Sequence, residues 1–203
     1  MACRLGFIWV ISNGAFHSFL LRRTKGRPFL LKVSLQNFMR GVNYRLFIFC
    51  IGGYRMSCIM CEKQKSIKDD PYFIMELETG YVVLGWYQRF KGYTVFNCKE
   101  HGPELHNLEH SFKIKHLEEM SIVAEAVYNI FKPDKMNYEL LGNGCPHIHW
   151  HLYPRVKGDT PIISSVYQLS NEELFDESTR PDEKQRKELK EKIKNDIERL
   201  LLK

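Results

Sequence analysis

The chain has 203 residues, of which 44% are hydrophobic and 27% are charged, an ordinary composition for a globular protein of one domain with extensions. No apolar run approaches the roughly 20 residues of a membrane-spanning helix, and no secretory signal with a small-residue cleavage site is evident. We therefore expect a cytoplasmic protein with no membrane partner, whose six cysteines are reduced.

The first 55 residues differ in composition from the rest of the chain. They contain nine Lys and Arg and no Asp or Glu, whereas residues 56–203 contain 21 basic and 24 acidic side chains. Their Phe residues follow neither a helical nor a strand period, which does not favour a folded core. We expect residues 1–55 to be a basic N-terminal extension outside the native fold, with the native chain beginning at Met56. A mitochondrial presequence is the alternative.

From residue 56 onward the pattern predicts an α+β fold. Apolar residues at helical spacing, with Ser111 as the N-cap, predict a long central helix over residues 111–131. A charged segment with one apolar stripe predicts a C-terminal helix over residues 181–202. Short β-rich segments predict five strands of an antiparallel sheet, over residues 72–77, 81–85, 93–98, 136–141 and 147–153. The expected domain covers residues 56–160, followed by a C-terminal extension over residues 161–203.

The segment from His147 to Tyr153 alternates histidine with apolar residues. Successive side chains of a strand point to opposite faces, so His147, His149 and His151 are expected on one face, about 7 Å apart. Three imidazoles could hold a divalent metal for hydrolysis. Alternatively, one imidazole attacks phosphorus while the neighbouring imidazoles stabilise the charge. The attack requires that the other ring nitrogen of the attacking imidazole be held as N–H.

The residues that flank this segment favour phosphorus chemistry. Asn143 and Gly144, just before it, offer an amide side chain and close backbone approach to phosphate oxygens. Arg155, just after it, adds a cation that could stabilise the same oxygens.

This set of residues resembles the histidine triad (HIT) superfamily. The family signature, His-φ-His-φ-His-φ-φ with φ apolar, is filled at every position by residues 147–153, and the resemblance spans roughly residues 57–160. The following Pro154-Arg155 is similar to the bacterial dinucleoside-polyphosphate hydrolase branch. The resemblance implies a homodimer with a catalytic domain of HIT-like fold over residues 56–160, which needs no cofactor, and a nucleotide substrate that Mg²⁺ could accompany.

The same match assigns the site residues. His149 is expected to be the nucleophile, which forms a covalent nucleotidyl-histidine intermediate. The residues expected to bind the substrate are His147, His151, Asn143, Gly144 and Arg155.

The chain departs from the family pattern at three positions. Tyr93 stands where many relatives carry a fourth histidine. Gly85 falls where an Asp or Asn often contacts the ribose, a contact for which Asn97 or Gln88 could substitute. Gly144 replaces a Ser or Thr. These departures concern the substrate more than the nucleophile.

Cys58 and Cys61 have the spacing of half a zinc site. Some bacterial relatives bind zinc with this pair and two histidines, and the match nominates His101 and, as a further candidate, His147 for a structural zinc. Two free thiols are the alternative.

The other cysteines and histidines of the domain have no ligand pattern. We interpret Cys98 and Cys145 as small packing residues. The remaining histidines are expected at the surface or as helix caps: His17, His106, His110 and His116.

Several functions remain open. Charges of alternating sign in residues 182–194 indicate a solvated helix face, so nucleic acid is not an expected partner of this segment. The favoured function is hydrolysis of dinucleoside polyphosphates, or of nucleoside phosphoramidates, by nucleotidyl transfer to histidine. The alternatives are a metal-dependent hydrolase that uses the three histidines as ligands, a non-catalytic nucleotide-binding protein, and an inert domain with a basic nucleic-acid arm.

Overall fold

The chain divides into two units, Met1–Met56 and Ser57–Lys203. A computed structural model describes residues 6–12, 15–21, 58–162 and 164–203. In the first unit, strand β1 (Gly6–Ser12) pairs antiparallel with β2 (Ala15–Leu21). The sequence pattern did not predict these strands, although Asn-Gly, which stands between them in the sequence, is a strong hairpin signal. The remainder of residues 1–55 lies outside the described residues, and its place in the native chain stays a prediction.

The second unit contains an antiparallel sheet of five strands: β3 (Phe73–Glu76), β4 (Gly80–Leu84), β5 (Thr94–Cys98), β6 (Lys135–Glu139) and β7 (His149–Arg155). They pair in the order β3-β4-β5-β7-β6. The helices are α1 (Ile59–Gln64), α2 (His110–Phe131), α3 (Asn171–Leu174) and α4 (Glu183–Leu201). The predicted α+β class, with one long central helix and a C-terminal helix, is confirmed.

One face of this sheet packs against α2 and α4. Val82, Leu84 and Phe96 of the sheet are buried with Val127 of α2 and Ile197 of α4. Alternation along the strands sends their neighbours to the opposite face. The core therefore lies on one side of the sheet and leaves the other side for the histidines.

Two details of the predicted elements are wrong. The N-cap of α2 is Glu109, whose carboxylate accepts hydrogen bonds from the backbone N–H groups of Ser111 and Phe112. The triad strand begins at His149 and not at His147, because the N–H of Ile148 donates to the carbonyl of Gly102.

Candidate functional site: an imidazole groove and a thiol–imidazole cluster

His149 and His151 face a groove on the side of the sheet opposite to the core. Asn97 of β5 pairs directly with His149 of β7, and Val95 pairs with His151; residues paired in this way share a face. All four line a groove of about 750 Å³. The alternation of the sequence therefore brings two of the three predicted histidines into one cavity.

The backbone holds His149 in a single tautomer. Its Nδ1 lies 2.6 Å from the carbonyl oxygen of His147, and a carbonyl oxygen can only accept a hydrogen bond. Nδ1 must therefore carry the proton, which leaves the lone pair on Nε2. Among the described residues, no side chain or backbone group makes a hydrogen bond to this Nε2.

His151 has a different partner. Its Nδ1 lies 2.5 Å from the hydroxyl of Tyr93, and its ring stands edge-on to that of His149 with centroids 5.0 Å apart. Burial, with a smaller contribution from His149, lowers the pKa of His151 to about 4. His151 is therefore a neutral imidazole near neutral pH.

Aromatic and cationic side chains form the far wall of the groove. Trp86 is half exposed there, with Lys63 Nζ at 5.6 Å and Arg180 Cζ at 5.7 Å from its ring. Arg180 also donates to the hydroxyl of Tyr87, and Phe175 packs edge-on against the Tyr87 ring. Aromatic rings beside cations suit a planar, negatively charged ligand. Sequence reasoning missed this wall, because Arg180 and Phe175 come from the C-terminal extension, about 90 residues from Tyr87.

His147 does not face the groove. It is buried, its Nε2 donates to the carbonyl of Cys98 at 2.7 Å, and its Nδ1 lies 3.5 Å from Cys58 Sγ and 3.6 Å from Cys61 Sγ. The substrate-binding role expected of His147 does not fit this geometry, since both of its ring nitrogens are engaged away from the groove.

Four side chains form a thiol–imidazole cluster: Cys58, Cys61, His101 and His147. Their ligand atoms all lie within 4.8 Å of one another, and Cys61 Sγ is 3.5 Å from His101 Nδ1. A tetrahedral zinc ion with Zn–S near 2.3 Å and Zn–N near 2.1 Å separates its S and N ligands by about 3.6 Å. The residues therefore fit a tetrahedral zinc ion. The hydrogen bond from His147 Nε2 to a carbonyl is also the kind that orients metal-binding imidazoles.

Comparison with known proteins identifies the domain. A family model described as HIT domain matches residues 71–158. Residues 71–158 form a HIT domain. The predicted resemblance to the histidine triad superfamily is thus confirmed, while the branch stays a prediction. No curated protein matched the sequence.

Solved structures share the fold of the HIT domain. A histidine triad protein from Marinobacter aquaeolei superposes with a TM-score of 0.56 at 23% identity, over 67% of this chain and 95% of that one. One from Bradyrhizobium japonicum gives 0.56 at 21% identity, over 64% and 93%. A Zn-bound histidine triad family protein from Mycobacterium smegmatis gives 0.50 at 21% identity, over 71% and 96%.

Two departures from the family pattern prove to be one structural feature. A Cβ atom at Gly85 would collide with the ring of Tyr93, so the aromatic ring at position 93 requires the missing side chain at position 85. Of the two expected substitutes, Gln88 is occupied, because its amide bonds to the backbone of Gly85, Gly92 and Tyr93. Asn97 lines the groove with a buried Oδ1 that has no partner among the described residues.

Arg155 holds a loop of the HIT domain and does not reach the groove. Its guanidinium donates to both carboxylate oxygens of Asp159, to Asn137 Oδ1, to the carbonyl of Ser164 and to Thr160 Oγ1. No donor remains for a phosphate, so the expected substrate-binding role does not fit this geometry. Asn143 and Gly144 are exposed, in the loop before His147, and their contact with a substrate stays a prediction.

His116 was expected at the surface, but it is fully buried between the sheet and α2. Its Nε2 accepts from the indole N–H of Trp150, and its Nδ1 bonds to Thr79 Oγ1, which in turn donates to Glu119. His106 and His110 are exposed, as predicted, and the side chain of His17 lies outside the described residues.

The two further cysteines behave differently. Cys98 is fully buried, as expected of a packing residue. Cys145 Sγ lies 3.9 Å from Cys58 Sγ, at the margin of the thiol–imidazole cluster, so it is not simply a packing residue. No helix in the described part of the chain has the length and hydropathy to cross a membrane.

Proposed function

We propose that the HIT domain transfers a nucleotidyl group from its substrate to Nε2 of His149 and then releases it to water. The observation that carries the proposal is the fixed tautomer of His149, whose Nδ1–H is held by the carbonyl of His147 while Nε2 is open to the groove. A nucleophile needs its lone pair free at the moment of attack, and this hydrogen bond supplies that state without a separate base.

The reaction proceeds in two displacements. The Nε2 lone pair of His149 attacks the α-phosphorus, the P–N bond forms, and the P–O bond to the leaving phosphate breaks, with its electron pair staying on that oxygen. Water then attacks phosphorus and releases one proton to solvent, the P–N bond breaks, its electron pair returns to Nε2, and a nucleoside monophosphate departs. The proton stays on Nδ1, hydrogen-bonded to the carbonyl of His147, and that carbonyl stabilises the positive charge that the ring carries while phosphorus is bound.

Dinucleoside polyphosphates are the proposed substrates, with nucleoside phosphoramidates as the second choice. The wall of Trp86, Tyr87, Phe175 and Arg180 favours the larger class, because it offers aromatic surface and a cation in addition to the sheet. By the family resemblance we further propose a cytoplasmic homodimer.

A structural zinc in the thiol–imidazole cluster is part of the same proposal. The S–N spacings of Cys58, Cys61, His101 and His147 support it, as does the zinc in the relative from Mycobacterium smegmatis. When bound, the ion would fix His147, and through its carbonyl the ring of His149, while it touches no substrate. The alternative of one catalytic metal held by all three triad histidines does not fit, because His147 faces away from His149 and His151.

The decisive test is a covalent adduct. The full chain is incubated with diadenosine polyphosphates and with adenosine phosphoramidates, quenched in base because the P–N bond is acid-labile, and digested for mass spectrometry. We expect adenylyl mass on the peptide that contains residues 147–153, and none in His149→Ala. Nucleotide binding without an adduct or turnover would favour the non-catalytic alternative.

A further inference from the structure

We propose that the hydroxyl of Tyr93 is a positioning group that fixes His151 in the tautomer with its proton on Nε2, so that this ring offers an N–H donor to the groove. The inference rests on the proposed function for its catalytic consequence, but the tautomer itself can be measured on the free protein. Tyr93 stands where many relatives have histidine, so the assignment concerns a position at which this chain departs from the family pattern.

The position of Tyr93 is fixed by its surroundings. Its ring stacks on Tyr153 at a centroid distance of 4.2 Å and an angle of 8°, and it lies nearly parallel to the ring of His151. Its backbone N–H and carbonyl bond to Phe90 and Gly85, and the absent side chain at Gly85 leaves room for the ring. The stack and the backbone bonds therefore hold the ring where its hydroxyl meets His151 Nδ1.

The direction of the Tyr93–His151 hydrogen bond follows from the two groups. A phenol is a far stronger acid than the N–H of a neutral imidazole, and the imidazole lone pair is a far better acceptor than a phenolic oxygen. The hydroxyl therefore donates to Nδ1. Burial, together with the neighbouring Tyr153 and Glu139, raises the pKa of Tyr93 well above its usual range, and burial keeps His151 neutral. Both shifts keep the two groups neutral, so an imidazolium does not donate to a phenolate here.

His149 and His151 consequently carry opposite tautomers. His149 has its proton on Nδ1, against the carbonyl of His147, and presents a lone pair. His151 has its lone pair on Nδ1, against Tyr93, and presents an N–H. With the ring centroids 5.0 Å apart, one ring can bond to phosphorus while the next donates to an oxygen on the same phosphate. A neutral donor of this kind does not require a protonated imidazole in a buried site.

The tautomers can be read from the ¹⁵N shifts of labelled histidine in the full, ligand-free chain near neutral pH. We expect His151 to show a protonated Nε2 and an unprotonated Nδ1, with the reverse in His149. In Tyr93→Phe, which removes only the hydroxyl, the His151 signals should move towards a mixture of the two tautomers. Tyr153→Phe is the matched control, because it removes the hydroxyl of the stacked neighbour and keeps Tyr93, and it should leave His151 unchanged. A wild-type His151 with its proton on Nδ1 would overturn the proposal, even if Tyr93→Phe failed to fold.

Turnover supplies the second readout. Loss of one orienting hydrogen bond should lower kcat of Tyr93→Phe about tenfold, with KM changed little, whereas Tyr153→Phe should retain kcat. Equal kcat values in Tyr93→Phe and wild type would contradict the positioning role. If the wild-type chain turned over no nucleotide, the proposed function would fail, while the ¹⁵N measurement would still decide the tautomer.

Discussion

His147 and His149 stand two residues apart, yet the structure uses their ring nitrogens in opposite ways. In His147, Nε2–H donates to a carbonyl and the Nδ1 lone pair faces two thiols. In His149, Nδ1–H donates to a carbonyl and the Nε2 lone pair is left for the groove. Which ring nitrogen donates to a backbone carbonyl thus determines which nitrogen is left to bind. In His147 that nitrogen faces the candidate metal site, and in His149 it is left for phosphorus. The comparison predicts that substitutions around the two histidines have different effects. Substitution of His149 removes the chemistry, whereas substitution in the cluster that contains His147 lowers the stability.

The largest expected effect is on turnover at His149. His149→Ala removes the nucleophile, and we expect kcat to fall by at least about 10⁴-fold, with the zinc content and the thermal midpoint close to those of the wild type. Added imidazole should restore part of the activity of His149→Gly, since it can occupy the vacated position. Near-normal turnover by His149→Ala would show that another group attacks phosphorus.

The second prediction concerns the thiol–imidazole cluster. Cys61→Ser should reduce bound zinc well below one ion per chain, measured by elemental analysis, and lower the thermal midpoint by about 10 °C, because metal binding contributes to folding. Cys145→Ser is the control, since this thiol lies beside Cys58 but outside the set of four. A wild-type chain without bound zinc would show that the cluster is a pair of free thiols with two histidines, and one ion in both proteins would show that Cys61 is not a ligand.

The third prediction separates the structural role of Arg155 from the substrate role that its place in the sequence suggests. Arg155→Met removes the ion-pair partner of Asp159, whose nearly buried carboxylate keeps the backbone N–H of Val156, and we expect a loss of about 3 kcal/mol in the free energy of unfolding, measured by urea titration. KM for a dinucleoside polyphosphate should stay unchanged. Arg199→Met, at an exposed arginine that pairs with Asp196, should leave the urea midpoint nearly unchanged. A raised KM in Arg155→Met without loss of stability would instead indicate contact with phosphate.

The sequence pattern predicted much of the fold and the centre of the site. Strand alternation and helical spacing identified all five strands of the sheet and both long helices, and the triad signature identified His149. The role of Arg155 was also within reach, because Asp159 follows it by four residues. The local sequence pattern could not predict which side chains and backbone groups surround each histidine ring. His147 lies just before the strand, so its neighbours come from the segment of Cys58 and from Cys98, far away in the sequence.

His116 shows the same limit, and its predicted effect appears only in acid. Its partners Thr79 and Trp150 are 37 and 34 residues away in the sequence, and no local spacing connects them. Burial lowers the pKa of His116 to about 4, although the nearby Glu119 opposes this shift and His147 reinforces it. An unfolded histidine titrates near pH 6.5. As pH falls from about 6.5 to 4, the unfolded chain therefore binds a proton that the folded chain does not, and stability decreases by up to about 3 kcal/mol.

His116→Gln should flatten this part of the stability profile, measured by urea unfolding between about pH 7 and pH 4.5, where the linkage acts. The variant should be less stable than the wild type at neutral pH, because the indole N–H of Trp150 and the buried Thr79 lose an ideal partner, yet it should lose less on acidification. His106→Gln, at an exposed position, should follow the wild-type profile. Parallel profiles for His116→Gln and wild type would assign the acid sensitivity to other groups, of which His151, whose pKa burial also lowers to about 4, is the first to consider. The acid response thus tests whether a histidine outside the triad is held neutral by the core, as His151 is held neutral in the groove.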